Sequence, residues 1–221
     1  MSALTEVVRS GDPREGDLVA DGYQLVGVSW GAHLSVDDES RVLRLRNAAS
    51  KVITGGFSLT ELAPRWADDV HAVETATNDD YPATPATFHA PRTRLGVEAL
   101  WGPGRWVFGA LDNGTLVGVC AMSDRGGKVE IDFGSVLRAY RGRRLGAGVV
   151  AHGILELVRL GHHRFATGGA EVNAASRALV ESLGFEVDET WHSYLTPIIH
   201  EKSVEAPRSI SRNSFATVGA T

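Results

Sequence analysis

Between Trp106 and Leu137 the chain reads WVFGALDNGTLVGVCAMSDRGGKVEIDFGSVL, and this run restricts the possible folds more than any other. Two apolar stretches flank Asp112-Asn113-Gly114. Asn-Gly tolerates the positive φ angles of a type I′ turn, so the spacing predicts a tight hairpin. Asp124 to Gly127 supply a second turn, and KVEIDFGSVL reads as a third strand. Strands joined in series by tight turns must be antiparallel, because parallel neighbours require a long crossover. The apolar period then lengthens from two to 3.6. Ala147, Val150, Ala151, Ile154, Leu155 and Val158 fall on one helical face, and Gly161 closes that helix.

The flanking sequence extends this pattern. HRFATGG is a strand. Asn173 caps a helix whose stripe is Ala175, Ala178, Leu179 and Leu183, and Gly184 ends it. FEVDETWHSYLTPI is a last strand. Upstream, residues 1–20 read as a loose polar arm, followed by a strand from Tyr23 to Leu34 and a helix capped by Ser35. Residues 51–60 are a short strand. Helices are expected around 65–76 and 93–100, with a Pro-rich loop from Asp79 to Pro91 between them.

Gly27-Val28-Ser29-Trp30-Gly31 has the G-x-S-x-G form of a serine-hydrolase nucleophile elbow. Such an elbow needs earlier strands beside it and a parallel sheet. Only 28 residues precede Ser29, and the 106–137 hairpins are antiparallel. Ser29 is therefore read as part of a glycine-flanked strand.

The whole-chain numbers exclude other classes. A net charge of −5 argues against a general nucleic-acid or anionic-membrane partner. One cysteine among 221 residues leaves no disulfide framework or thiolate metal cluster, and no histidine pair has metal-ligand spacing. No apolar run is long enough to span a bilayer, and the first residues lack the apolar centre of a signal peptide, so a cytoplasmic protein is expected.

The chemistry is concentrated at VLRAYRGRRLGAG, residues 136–148, where the third strand of the meander turns into the long helix. Helix-start N–H groups lack intrahelical partners and carry the positive end of the dipole. Gly142 and Gly146 allow close approach, and Arg141, Arg143 and Arg144 add charge. The combination suits a pyrophosphate. It is not a Walker motif, because no Gly-Lys-Ser/Thr follows.

At these residues the sequence resembles the GCN5-related N-acetyltransferase (GNAT) superfamily over about residues 55–200, with an RGRRLG version like that of an actinobacterial branch. VLRAYRGRRLGA resembles that family's pyrophosphate motif, Arg/Gln-x-x-Gly-x-Gly/Ala, with Arg141 first, Gly146 last and Arg144 in place of the middle glycine. NAASRALVESLGF, 173–185, resembles its Asn-x-x-Ser/Ala…Gly-Phe helix. The resemblance implies an α+β fold: a mixed, mostly antiparallel central sheet flanked by helices, in which the family's strands four and five splay apart. It implies acetyl-coenzyme A as cosubstrate and no metal. The backbone at Val136, Leu137 and Arg138 would face the pantetheine arm, and the N–H groups of Gly142, Arg143, Arg144, Leu145, Gly146 and Ala147 the pyrophosphate. Asn173, assisted by Ser176, would meet the arm from the other side, and Asn173 also suits a plain helix cap.

VEIDFGSV resembles the strand that carries the catalytic glutamate of histone acetyltransferases, which points to Glu130 as general base. Alternation places Glu130, Asp132 and Gly134 on one face, so Asp132 competes for the role. The tyrosine that many members carry on the last helix, as thiolate acid, is replaced here by Val180. Either Tyr194, Ser176 or water substitutes, or no thiolate acid is needed. Asp80 and Tyr81 are candidates for attracting a cationic amine, and a solvated turn is the other reading of that loop. The expected organisation is an N-terminal extension at 1–51, an acetyltransferase domain at 52–200 and a flexible tail at 201–221. The extension would either cap the acceptor cleft or pair across a homodimer. Two functions stay open: acetyl transfer to a small-molecule primary amine in a ternary complex, or coenzyme A binding without turnover.

Overall fold

A computed structural model describes residues 5–81, 84 and 92–196. Eight strands form one sheet: β1 (Thr5–Arg9), β2 (Gln24–Ser35), β3 (Ser58–Glu61), β4 (Arg105–Asp112), β5 (Thr115–Asp124), β6 (Val129–Val136), β7 (Arg164–Ala170) and β8 (Glu186–Leu195). Their order across the sheet is β1-β8-β2-β7-β6-β5-β4-β3. Every pairing is antiparallel except β6 with β7. The expected meander is β4, β5 and β6. Asn113 and Gly114 carry φ angles of 47° and 87° at its first turn, as a type I′ hairpin requires.

Helices cover both faces. On one face α2 (Glu39–Thr54), α5 (Leu145–Arg159) and α6 (Ala174–Leu183) enclose a core that includes Trp30, Leu45, Val52, Phe108, Ile154, Leu157 and Leu183. On the other, α3 (Ala67–Thr77) and α4 (Arg94–Glu98) bury Val70, Val73 and Val97 against Val107, Val119, Ala121 and Phe133. This second core draws on β4, β5 and β6 and on no described residue of β2, β7 or β8. Among the described residues, no helix of this core covers the half of that sheet face formed by β2, β7 and β8.

Two local expectations change. β2 continues through Ser35, so α2 starts later and is capped by Asp38, whose Oδ1 accepts from the Arg41 N–H at 2.8 Å. Residues 1–20 were expected to be loose. Instead, described residues 5–9 form β1, and Arg14–Ala20 form α1. Five strand residues are too few to show a period in sequence, yet Val8 is fully buried where β1 covers the edge of β8. Glu15 of α1 accepts from His192, and the Tyr194 hydroxyl lies 3.4 Å from the same oxygen. The segment expected to be an extension also supplies an interior strand, because β2 lies between β7 and β8. Residues 201–221, and most of the Pro-rich loop to Pro91, lie outside the described residues.

Candidate active site

β6 and β7 pair only at Val129–Phe165 and Glu130–Ala166. Beyond Ala166, β7 keeps only its pairing with β2, with Thr167, Gly168, Gly169 and Ala170 opposite Ala32, Gly31, Trp30 and Ser29. β2 holds the other edge of β7 throughout, so β7 stays in the sheet while its backbone groups on the β6 side open onto the gap. The gap is a cleft of about 550 Å³. Its walls include Gly134, Ser135 and Val136 of β6, Gly168 and Gly169 of β7, and Asn173, Ser176 and Val180 at α6.

The backbone of β6 is unevenly available there. The Leu137 N–H donates to the Val117 carbonyl at 3.0 Å, so it faces β5 rather than the gap, against the expectation for that residue. Backbone groups of successive strand residues point to opposite sides, which turns those of Val136 toward the gap. The Val136 carbonyl accepts from Arg141 Nε at 3.1 Å, and that of Gly134 from the Tyr81 hydroxyl at 2.9 Å. With the carbonyls held, the N–H groups of Gly134 and Val136 are the donors that this strand turns toward the cleft.

The turn before α5 has the shape the glycine motif specifies. Gly142 and Arg144 both have left-handed φ angles, 76° and 64°. Arg144 thus occupies in that conformation the place where the motif has glycine, at a cost of about 1 kcal/mol. Arg144 is also the N-terminal cap of α5 and makes no side-chain cap bond. Among the described residues, the N–H groups of Arg143, Arg144, Leu145, Gly146 and Ala147 have no hydrogen-bond acceptor. A Cβ on Gly146 would lie 2.9 Å from Leu179 Cδ1, so glycine lets α5 and α6 close on each other at the cleft. Val136, Arg141, Gly146, Asn173 and Ser176 line the cleft directly. Asn173 caps α6, its Oδ1 accepting from the Ser176 N–H at 3.1 Å.

Asp80 sits against the basic turn. It accepts from Arg138 at 2.6 Å and from Arg141 at 2.5 Å. Those hydrogen bonds, Arg141's foremost, hold its carboxyl below the ordinary range. An acid so occupied is an arginine anchor, which answers differently from the expectation that Asp80 would attract an amine. Tyr81 crosses to β6, where its hydroxyl also lies 2.7 Å from Ser135 Oγ, and burial raises its pKa.

A bulge reshapes the carboxylate face. Ala121 pairs with Phe133 and Met122 with Ile131, so Asp132 is an extra residue. The alternation therefore inverts: Ile131 packs with the α2–α5 core and Phe133 with the α3–α4 core. Glu130 and Asp132 keep a common face, since Ser123 lies opposite Glu130 and its hydroxyl donates to Asp132 at 2.9 Å. Gly134, expected on that face, is placed on the other, opposite Cys120 of the α5 core. Asp132 also contacts Arg125 at 3.3 Å. Glu130 has no hydrogen bond or ion pair within the described residues.

Tyr194 lines neither this cleft nor the cavity next to it; it is buried on β8 beside Glu15 and His192. That corrects its assignment as a proton donor. Val180 is buried in the cleft wall. Ser29 lies within β2, a strand that runs on to Ser35 with no elbow. Burial pushes the Cys120 thiol far up, which removes it as a nucleophile.

Sequence reasoning missed a second cavity of about 530 Å³, lined from β2, β6, β7 and β8 on the sheet face away from α2 and α5. Trp30 and Ala32 face the α2–α5 core, so Ser29 and Gly31, with their cross-strand partners Trp191 and Glu189, face the other way. Lys128, Arg125 and His33 complete the polar wall. Ile131, Asp132, Thr167, Gly168 and Gly169 line both cavities, which meet where β6 and β7 part. The signal in sequence was polar alternation in SWGAH and ETW, legible only once β2 was known to lie beside β8.

Comparison with known proteins agrees with this geometry. A crystal structure of a GCN5-related N-acetyltransferase from Sphaerobacter thermophilus has a TM-score of 0.65 at 16% identity, over 88% of this chain and 60% of that one. A tandem GNAT protein from the clavulanic acid biosynthesis pathway gives 0.60 at 17%, over 87% and 63%. The chain thus spans less than two thirds of either. The ribosomal-protein-S18-alanine N-acetyltransferase of Escherichia coli gives 0.51 at 18%, over 66% and 97%. At these identities the likeness concerns the fold. No curated protein sequence matches. The sequence profile of the acetyltransferase (GNAT) family matches residues 70–185, from α3 to the end of α6, and so takes in the splayed strands and the basic turn together. This chain belongs to the acetyltransferase (GNAT) family.

Proposed function

We propose that the protein transfers an acetyl group from acetyl-coenzyme A to a primary amine of a small molecule, by direct attack in a ternary complex. The observation that carries this reading is the parting of β6 from β7 beside the uncapped start of α5. The gap between the strands fits an amide-bearing pantetheine arm, and the N–H groups from Arg143 to Ala147, with the arginines, fit a pyrophosphate. The amine approaches from the second cavity. Glu130 takes its proton directly or through water, and the nitrogen lone pair attacks the thioester carbonyl carbon. The Val136 N–H stabilises the oxyanion. The C–S bond then breaks, and the proton that the attacking nitrogen sheds as it becomes an amide passes to the leaving thiolate, giving coenzyme A thiol. A cytoplasmic protein acting on a free amine, without nucleic acid, membrane or metal, is the setting we propose for it.

Val180 favours a second reading. With an aliphatic side chain where many members place a tyrosine, the domain would bind coenzyme A without turnover. Calorimetric titration with acetyl-coenzyme A, beside an Arg141→Ala/Arg143→Ala double variant, tests the shared premise. Micromolar binding lost in the variant is expected. No binding by the intact protein would leave the family fold without the family's cosubstrate.

A further inference from the structure

The second cavity holds two side chains of opposite charge that the chain itself does not use. Lys128, just before β6, and Glu130, its second residue, are half-buried, and both line the cavity. Neither side chain makes a hydrogen bond or ion pair among the described residues, to each other or to any neighbour. The other charges around them are committed. Glu189 accepts from the Trp191 indole at 3.0 Å, Asp132 is held by Ser123 and Arg125, and His33 pairs with Asp188 at 2.8 Å. Partly burying an ammonium and a carboxylate side by side, each without a partner, is unfavourable unless something else satisfies both.

From this we infer that the acceptor is a zwitterion: a primary amine that also carries an anionic group. Lys128, flanked by Arg125, receives the anion, and Glu130 receives the ammonium. The inference rests on the acetyltransferase reading and names its substrate class. The chemistry orients the acceptor. With its anion at Lys128, the amine reaches the carboxylate to which it loses a proton, beside the residues shared with the cofactor cleft. A simple monoamine would leave Lys128 unpaired, and a diamine would place a second cation beside it.

Carboxylate and phosphate both satisfy Lys128, and the test separates them. The intact protein is assayed with acetyl-coenzyme A against β-alanine and glycine, against phosphoethanolamine, and against ethanolamine and putrescine. An aminocarboxylate or the aminophosphate should exceed ethanolamine in kcat/KM by about tenfold or more, the scale of one charge-assisted hydrogen bond. Whichever of the two is preferred identifies the anion. In Lys128→Met that preference should collapse, mainly through KM, and Lys128→Arg should retain most of it. Preference for putrescine or ethanolamine, or an equal loss on every amine in Lys128→Met, would overturn the inference. Should no amine be acetylated although acetyl-coenzyme A binds, direct titration of the coenzyme-loaded protein with the same compounds decides. Lys128-dependent binding of a zwitterion supports the inference even as the transferase reading fails, and its absence refutes it.

Discussion

At the scale of single residues, charge commitments separate carboxylates that the sequence presents as equivalents. Glu130 and Asp132 are near neighbours on one strand, and nothing in VEIDFGSV says which is occupied. The fold decides through Ser123 and Arg125, which take Asp132 and leave Glu130 open. Glu130→Gln should therefore lower kcat by a factor on the order of 100 or more, with acetyl-coenzyme A affinity retained by calorimetry. A larger loss in Asp132→Asn would reassign the base. Asp80 carries a different expectation. Its folded-state pKa lies below that of the unfolded chain, so the stabilisation it gives is present at neutral pH and lost as pH falls through the folded value. Asp80→Asn should melt below the native protein at pH 7, and the two curves should converge in acid. A constant gap across pH would show that the arginine contacts are not the cause. Arg141 and Gly146 were legible as site residues because motif spacing reports local backbone. The partners of Asp80 were not, because Arg138 and Arg141 reach it across the fold.

At the scale of elements, the hairpin at Asn113-Gly114, α5 and the Gly184 stop of α6 were all readable, since each depends on neighbours within a turn or two. The bulge at Asp132 was not. An inserted residue leaves the alternation of apolar and polar letters looking intact while inverting every side chain beyond it. Ser35 failed as a helix cap for a related reason: β2 needed it as a strand residue opposite Arg164. Helix packing yields a test that does not depend on the site. A Cβ on Gly148 would fall 2.2 Å from Val52 Cγ2 and 3.0 Å from Val52 Cβ, where α5 crosses α2. Gly148→Ala should cost about 1–3 kcal/mol by overpacking, lowering Tm by about 2–4 °C for each kcal/mol. Val52→Ala in the same chain should recover part of the loss. No change in Tm would mean that α2 is free to shift.

At the scale of the whole molecule, the sheet is one continuous body in which the first and last strands interleave. The α+β class followed from the meander and the periodic helices. The place of β2 did not, because strand order depends on long-range pairing that local pattern does not encode. No helix of the described residues is long and apolar enough to cross a membrane. Removing residues 1–22 should strip β1 and α1 from the β8 edge and give a folded protein with lower Tm, by thermal denaturation followed by circular dichroism. Removing residues 1–35 should abolish the cooperative transition, since β7 and β8 then lose the strand that joins them. A cooperative melt of the shorter chain would show that β8 docks without β2. The interleaving also bears on how the protein is made. Synthesis runs from the N-terminus, yet Ser35 meets Arg164 and Gln24 meets Leu195. A ribosome therefore releases β2 long before either neighbour exists, and the nascent strand carries Trp30 and Leu34 uncovered while the meander folds ahead of it. The last step of assembly is then the capture of β2, an early strand, between β7 and β8, the two latest of the described strands.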